Sequence, residues 1–119
     1  MAHELLLHNI ARHITLSAEE QQALAAAFRE QKVRRKQFLH QEGDVQKQVF
    51  FVTSGCLRSY AIDKNGFDHV LQFAPPGWWI ADMRSVITGK PGTLNIDAID
   101  DSNLLTISKT DLDTLFLHT

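Results

Sequence analysis

Residues 38–58, FLHQEGDVQKQVFFVTSGCLR, place an apolar burst (Phe38-Leu39), a turn (Glu42-Gly43-Asp44), a second burst (Val49-Phe50-Phe51-Val52) and a second turn (Ser54-Gly55) in close succession. Bursts this short, rich in β-branched and aromatic residues and bounded by glycine, read as strands of an antiparallel sheet, because a helix needs a longer periodic stretch. The same rhythm continues on both sides. Strands are expected over Val33–Arg35, Phe38–Gln41, Val49–Ser54, Cys56–Asp63, Phe67–Ala74, Trp78–Ile80, Thr93–Ile99 and Asn103–Ile107. Turn residues separate them at Asp63-Lys64-Asn65-Gly66, Pro75-Pro76-Gly77 and Gly89-Lys90-Pro91-Gly92. Asn65-Gly66 is the strongest hairpin signal, since both residue types tolerate positive φ, and it makes the fourth and fifth strands neighbours.

Helices flank this β region. Leu7, Ile10 and Ile14 fall at helical spacing within Glu4–Leu16. Ser17-Ala18-Glu19-Glu20 is a capping box, in which the serine hydroxyl and the Glu20 carboxylate each satisfy a free N–H at a helix start; Leu24, Ala27 and Phe28 then form the apolar stripe. A short helix is expected over Met83–Thr88, ending at Gly89, and another begins over Lys109–His118, where Leu112, Leu115 and Phe116 share a face. This last helix meets Thr119 without a cap and reads as the start of a longer one.

With 119 residues, 44% of them apolar, the chain supports one domain with its own core. Its formal charge of −2 provides no basic field to hold a nucleic-acid backbone, so DNA binding by this segment alone is not expected. The single cysteine, Cys56, builds no internal disulfide, zinc site or iron–sulfur cluster by itself. No apolar run is long enough to cross a bilayer and no leader pattern opens the chain, so a cytoplasmic setting is expected.

The order of elements, and three local stretches, carry a resemblance. Phe38-Leu39-His40-Gln41-Glu42-Gly43-Asp44 looks like an apolar strand running into a Glu-Gly-Asp turn, and Phe50-Phe51-Val52-Thr53-Ser54-Gly55-Cys56-Leu57-Arg58 like an aromatic strand ending at a glycine. Phe73-Ala74-Pro75-Pro76-Gly77-Trp78-Trp79-Ile80-Ala81-Asp82 looks like the lead-in to a phosphate-binding cassette. Together they resemble the sensor half of Crp/Fnr-type transcription regulators, a cyclic-nucleotide-binding domain. The fold this implies is mainly β with flanking α: a double-stranded β-helix, or jelly-roll-like β-roll, with N-terminal helices and the start of a C-terminal helix over residues 1–119.

In family members that bind cyclic AMP or GMP, a Gly-Glu pair meets the ribose hydroxyl, and an Arg followed by Ser or Thr and a small residue meets the phosphate. By resemblance the first pair aligns with Ala81-Asp82 and the second with Gly92-Thr93-Leu94. A carboxylate and a hydroxyl survive, but glycine stands at the arginine position. Loss of a charge-assisted phosphate contact costs about 1.5–3 kcal/mol, tenfold or more in affinity. High-affinity binding of the usual cyclic nucleotides is therefore not expected unless Arg84 or Lys90 turns inward. The resemblance adds Ser59, Gln72 and Ala74 to the pocket.

Other constellations point elsewhere less well. Six histidines invite a metal site, but they are scattered, and the His-x-His pair with a following glutamate used by cupin barrel enzymes does not occur. Cys56 has no histidine near it in sequence to activate it as a nucleophile. Asp97, Asp100 and Asp101 read as hairpin-turn surface, and Arg34-Arg35-Lys36 as cations on an edge strand that discourage aggregation. Trp78-Trp79 places one ring inward and one outward. No catalytic residue, metal ligand or cofactor is assigned.

The resemblance implies an effector-sensing domain that controls DNA binding allosterically through a dimerisation helix and a helix-turn-helix lying beyond this chain, with a small-molecule effector, a homodimeric whole protein and no membrane. A stand-alone cyclic-nucleotide-binding module of a kinase or channel, and a cupin-like metal-dependent enzyme, share parts of the pattern. A helix-turn-helix encoded after Thr119 would separate the regulator from the module, and metal analysis would separate the enzyme.

Overall fold

The computed structural model describes residues 2–11, 15 and 17–117. Arg12, His13, Ile14, Leu16 and His118 lie outside them, as do the side chains of Leu115 and Phe116. The elements in chain order are α1 (Ala2–Ala11), α2 (Ala18–Ala27), β1 (Arg29–Val33), β2 (Phe38–His40), β3 (Gln48–Ser54), β4 (Leu57–Ile62), β5 (Asp68–Ala74), β6 (Trp79–Ile80), α3 (Met83–Thr88), β7 (Asn95–Ala98), β8 (Ser102–Ser108) and α4 (Lys109–Leu117). The strands form two four-stranded antiparallel sheets, ordered β1-β8-β3-β6 and β2-β7-β4-β5. This is the mainly β architecture with flanking helices that the strand rhythm predicts, built from two open sheets.

The run Val49-Phe50-Phe51-Val52 explains how the layers stack. Successive side chains on a strand face opposite ways. Val49 and Phe51 join Leu6, Ile10, Leu24, Phe28, Val86, Leu105 and Ile107 in a core beneath the helices. Phe50 and Val52 join Val33, Leu57, Ala74, Ile80, Ile96, Ala98 and Leu104 between the sheets. An uninterrupted apolar run is therefore a strand buried on both faces. In α1 the buried residues are Leu6 and Ile10, with Leu7 only half-buried, so the helix is rotated from the stripe that Leu7 and Ile10 suggest.

Local signals hold where their partners are close in sequence. The capping box at Ser17 and Glu20 forms. α3 ends at Gly89, which adopts φ 72° and donates its N–H to the Ser85 carbonyl. β4 and β5 pair through the Asp63–Phe67 turn, but only Gly66 there has positive φ; Asp63 Oδ1 accepts from the N–H groups of Asn65 and Phe67. Trp78 is 55% exposed, whereas Trp79 packs its ring against Phe51 and Phe28.

Two expectations are corrected. The first strand is Arg29–Val33, not Val33–Arg35, and Arg34-Arg35-Lys36 is the exposed bend that follows it. β1 lies at a sheet edge and buries only Val33, so it carries little of the apolar pattern by which strands are recognised. Asp97 is not turn surface: it is buried on β7 opposite Arg58, which donates from Nε at 2.7 Å and from Nη2 at 3.2 Å.

Candidate functional site

Three of the candidate residues, Ser59, Gln72 and Ala74, lie on the second sheet. Ser59 and Gln72 face each other in the β4–β5 register, two positions along from the Leu57–Ala74 pair in the inter-sheet core. Ser59 and Ala74 are buried. Gln72 Nε2 donates to the Trp79 carbonyl at 2.8 Å, tying β5 to β6 on the opposite sheet. Trp79 is in turn held by α1, its Nε1–H donating to Asn9 Oδ1 at 3.0 Å.

From β6 the chain passes through half-buried Ala81 to Asp82, which caps α3 and is 3% exposed. A carboxylate this deep has to be satisfied by donors. Its Oδ2 accepts from the N–H of Thr93 at 3.0 Å and of Leu94 at 3.2 Å, and its Oδ1 accepts from Ser85 N–H at 3.4 Å. The backbone N–H of Asp82 donates to Gln46 Oε1 at 2.8 Å. Ser85 Oγ accepts from Gln46 N–H and donates to the Lys90 carbonyl, so the short helix and both flanking loops share one network.

The Glu42–Gln46 and Lys90–Asn95 segments are also joined directly. Gly43 N–H donates to the Gly92 carbonyl at 2.9 Å, Gly92 N–H to the Asp44 carbonyl at 2.8 Å, and Glu42 N–H to Asn95 Oδ1 at 2.9 Å. His40, at the end of β2, is buried with Nε2 3.5 Å from Asp82 Oδ2, and that nitrogen has no hydrogen-bond partner. Gly92 is pressed between them: a Cβ there would lie 2.5 Å from Asp82 Oδ2 and 2.5 Å from His40 Nε2.

Of the residues singled out in the sequence, Asp82, Gly92, Thr93 and Leu94 are therefore in mutual contact, with Ala81 leading into them. Ser59, Gln72 and Ala74 line the sheet face. Arg84 and Lys90 are exposed. His40, Gln46, Ser85 and Asn95 belong to the same constellation and carry no local motif beyond their proximity to the Glu42-Gly43-Asp44 turn and to α3. The pairing also explains why β7 begins at Asn95 rather than Thr93: the N–H groups of Thr93 and Leu94 are spent on Asp82.

Among the described residues, no three His, Cys, Asp or Glu side chains group as metal ligands, and no helix is long and apolar enough to cross a membrane.

The sequence model of the family described as cyclic nucleotide-binding domain matches residues 30–119. No curated protein matches the chain in sequence. Among solved structures, the catabolite activator protein of Thermus thermophilus is 20% identical with a TM-score of 0.79, over 92% of this chain and 50% of that one. The sensor domain of the transcriptional regulator DNR from Pseudomonas aeruginosa is 15% identical with a TM-score of 0.81, over 97% of this chain and 79% of that one. The regulatory domain of Toxoplasma gondii PKA, crystallised with cAMP, is 17% identical with a TM-score of 0.81, over 95% and 44%. At these identities the likeness is one of fold. The chain spans half the length of the Thermus protein.

Proposed function

The chain belongs to the cyclic nucleotide-binding domain family, and on that premise we propose that it is the effector-sensing domain of a Crp/Fnr-type transcription regulator that does not bind cyclic nucleotides tightly. One observation carries this reading. Gly92, which by resemblance aligns with the family's phosphate-gripping arginine, has no room for a side chain, while Asp82 takes the adjoining N–H groups of Thr93 and Leu94. A phosphate arriving there meets a buried carboxylate instead of a cation, and like charges at close range in a low-dielectric site repel strongly.

The route from site to output is supported by the tie between α3 and α4. Lys109 Nζ, on the first residue of α4, donates to the Ile87 carbonyl near the end of α3 at 3.2 Å. A cation on the last carbonyls of a helix is a favourable contact. An effector seated against Ser59 and Gln72 that moved α3 would move the start of α4, and through it a dimerisation helix and a helix-turn-helix in the rest of the protein. DNA would be engaged by that further domain, since this segment carries a net charge of −2. The whole protein is then a cytoplasmic homodimer responding to a small molecule, and this segment has no enzymatic step of its own.

Calorimetric titration of cyclic AMP and cyclic GMP, repeated while following the amide resonances of Thr93 and Leu94, tests the ligand part. Silence at millimolar nucleotide is expected, and micromolar binding with shifts at those amides would overturn it. For the regulator part, the complete gene product is expected to retard promoter DNA. A reading frame that continues into a kinase or channel instead would replace this proposal with a signalling module of the same fold.

A further inference from the structure

We propose that Asp82 is a built-in anion: its carboxylate occupies the cradle formed by the backbone N–H groups of Thr93 and Leu94, so the cassette is held in an anion-filled arrangement without any effector. Removing that carboxylate then exposes a site for a free oxyanion of the carboxylate or phosphate class. This rests on reading the domain as a sensor without a cationic phosphate clamp.

The geometry is that of an anion site already in use. Two successive backbone N–H groups converge on a single oxygen, Asp82 Oδ2, at 3.0 and 3.2 Å. Consecutive N–H groups of this kind form a concavity that binds anions. An independent feature points into the same place: His40 Nε2 lies 3.5 Å from that oxygen on a side chain only 3% exposed, and has no hydrogen-bond partner of its own. A buried polar nitrogen left unpaired is costly, so its placement beside an anion cradle is not neutral for the fold.

Asp82 is itself fixed from behind. Its N–H is held by Gln46 and its Oδ1 receives Ser85 N–H, so the carboxylate is presented to the cradle without conformational search. A group tethered in this orientation competes at an effective concentration that no free effector reaches. Free phosphate or carboxylate should therefore be excluded from the intact site, while the cradle itself remains competent.

The test uses this chain and its Asp82→Ala variant, titrated with sodium formate and with inorganic phosphate at constant ionic strength against sodium chloride, with Thr93 and Leu94 amide resonances as the readout. Saturable shifts are expected in the variant, half-saturating at a concentration at least about tenfold below any response of the parent chain, as the loss of a charge-assisted competitor implies. Formate alone acting would mark the cradle as carboxylate-sized, and phosphate alone would mark it as able to admit a phosphoryl group; either supports the proposal. No saturable response, or the same response to chloride, would overturn it and leave Asp82 a structural cap. Should the variant fail to fold, Asp82→Ser, which keeps an N-cap for α3 while withdrawing the carboxylate from Thr93 and Leu94, is titrated in the same way and decides by the same outcomes. Nucleotide binding by the parent chain would defeat the reading of a sensor without a phosphate clamp, on which this inference rests, whereas a silent Asp82→Ala variant defeats only this inference.

Discussion

Gly92 lies so close to His40 that a single added carbon would come 2.5 Å from Nε2 of the imidazole. The position that by resemblance aligns with the family's phosphate-binding arginine is thus closed in by neighbours, and a side chain cannot be placed there without displacing them. Gly92→Arg is expected to cost about 1–3 kcal/mol through overpacking and to bring no gain in cyclic-nucleotide affinity. Urea denaturation and calorimetry on the same variant measure both; recovered nucleotide binding in a stable Gly92→Arg protein would contradict the packing argument.

Gln46 holds the Asp82 N–H from a buried position, and its own Nε2 donates to the Gln48 carbonyl. Gln46→Leu keeps much of the volume but strands the buried N–H of Asp82. A loss of about 1–3 kcal/mol is expected, seen as a lower denaturant midpoint with an unchanged slope.

Two glycines with almost the same backbone angle should respond differently to alanine. Gly55 has φ 84° and Gly66 has φ 85°. A Cβ at Gly55 would collide with Ser102 Oγ, the Asp101 carbonyl and Ser102 Cα, whereas at Gly66 it would meet nothing. Gly66→Ala should therefore cost only the left-handed penalty of about 1–2 kcal/mol, and Gly55→Ala that penalty plus a displaced β8. Equal melting points for the two variants would refute this.

Acid should loosen the β4–β5 hairpin. Asp63 is held below the usual carboxylate range, chiefly by its hydrogen bond with His69 at 2.8 Å and then by the N–H groups of its own turn. A carboxyl with a depressed folded value stabilises above its unfolded pKa of about 3.9, and that contribution disappears as pH falls through the folded value. Asp63→Asn should thus flatten the decline in stability below about pH 4. Denaturant midpoints of the two proteins from pH 5 down to pH 3 provide the comparison, and parallel curves would rule the effect out.

What was legible in the sequence was what is written locally. Turns at glycine, the Ser17–Glu20 box, the α3 stop at Gly89 and the spacing from Asp82 to Gly92 all depend on near neighbours. The apolar run in β3 announced a strand, while its burial on both faces emerged only with the two sheets in place. The misreadings have a common origin. β1 is an edge strand that buries one residue, so hydrophobic pattern hardly marks it. Asp97 acquires its meaning only from Arg58 on the adjacent strand. His40 and Gln46 reach Asp82 across more than thirty intervening residues, and only the closure of the two sheets brings them there. Thr93 and Leu94 read as strand residues because nothing in their own neighbourhood reveals that a carboxylate claims their N–H groups.

The reciprocal bonds between Gly43, Asp44 and Gly92 bear on how quickly the site can be reached. The 92–94 segment cannot swing away from Asp82 while it is stitched to the 42–44 turn, so the two must part together. An effector that needs this movement would bind no faster than the pair opens, and its observed rate would level off with concentration instead of rising without limit. The turn at 42–44 would then act as the timer of the response: changes there would alter how soon such an effector is admitted, through the bonds to Gly92 and not through a ligand contact of their own.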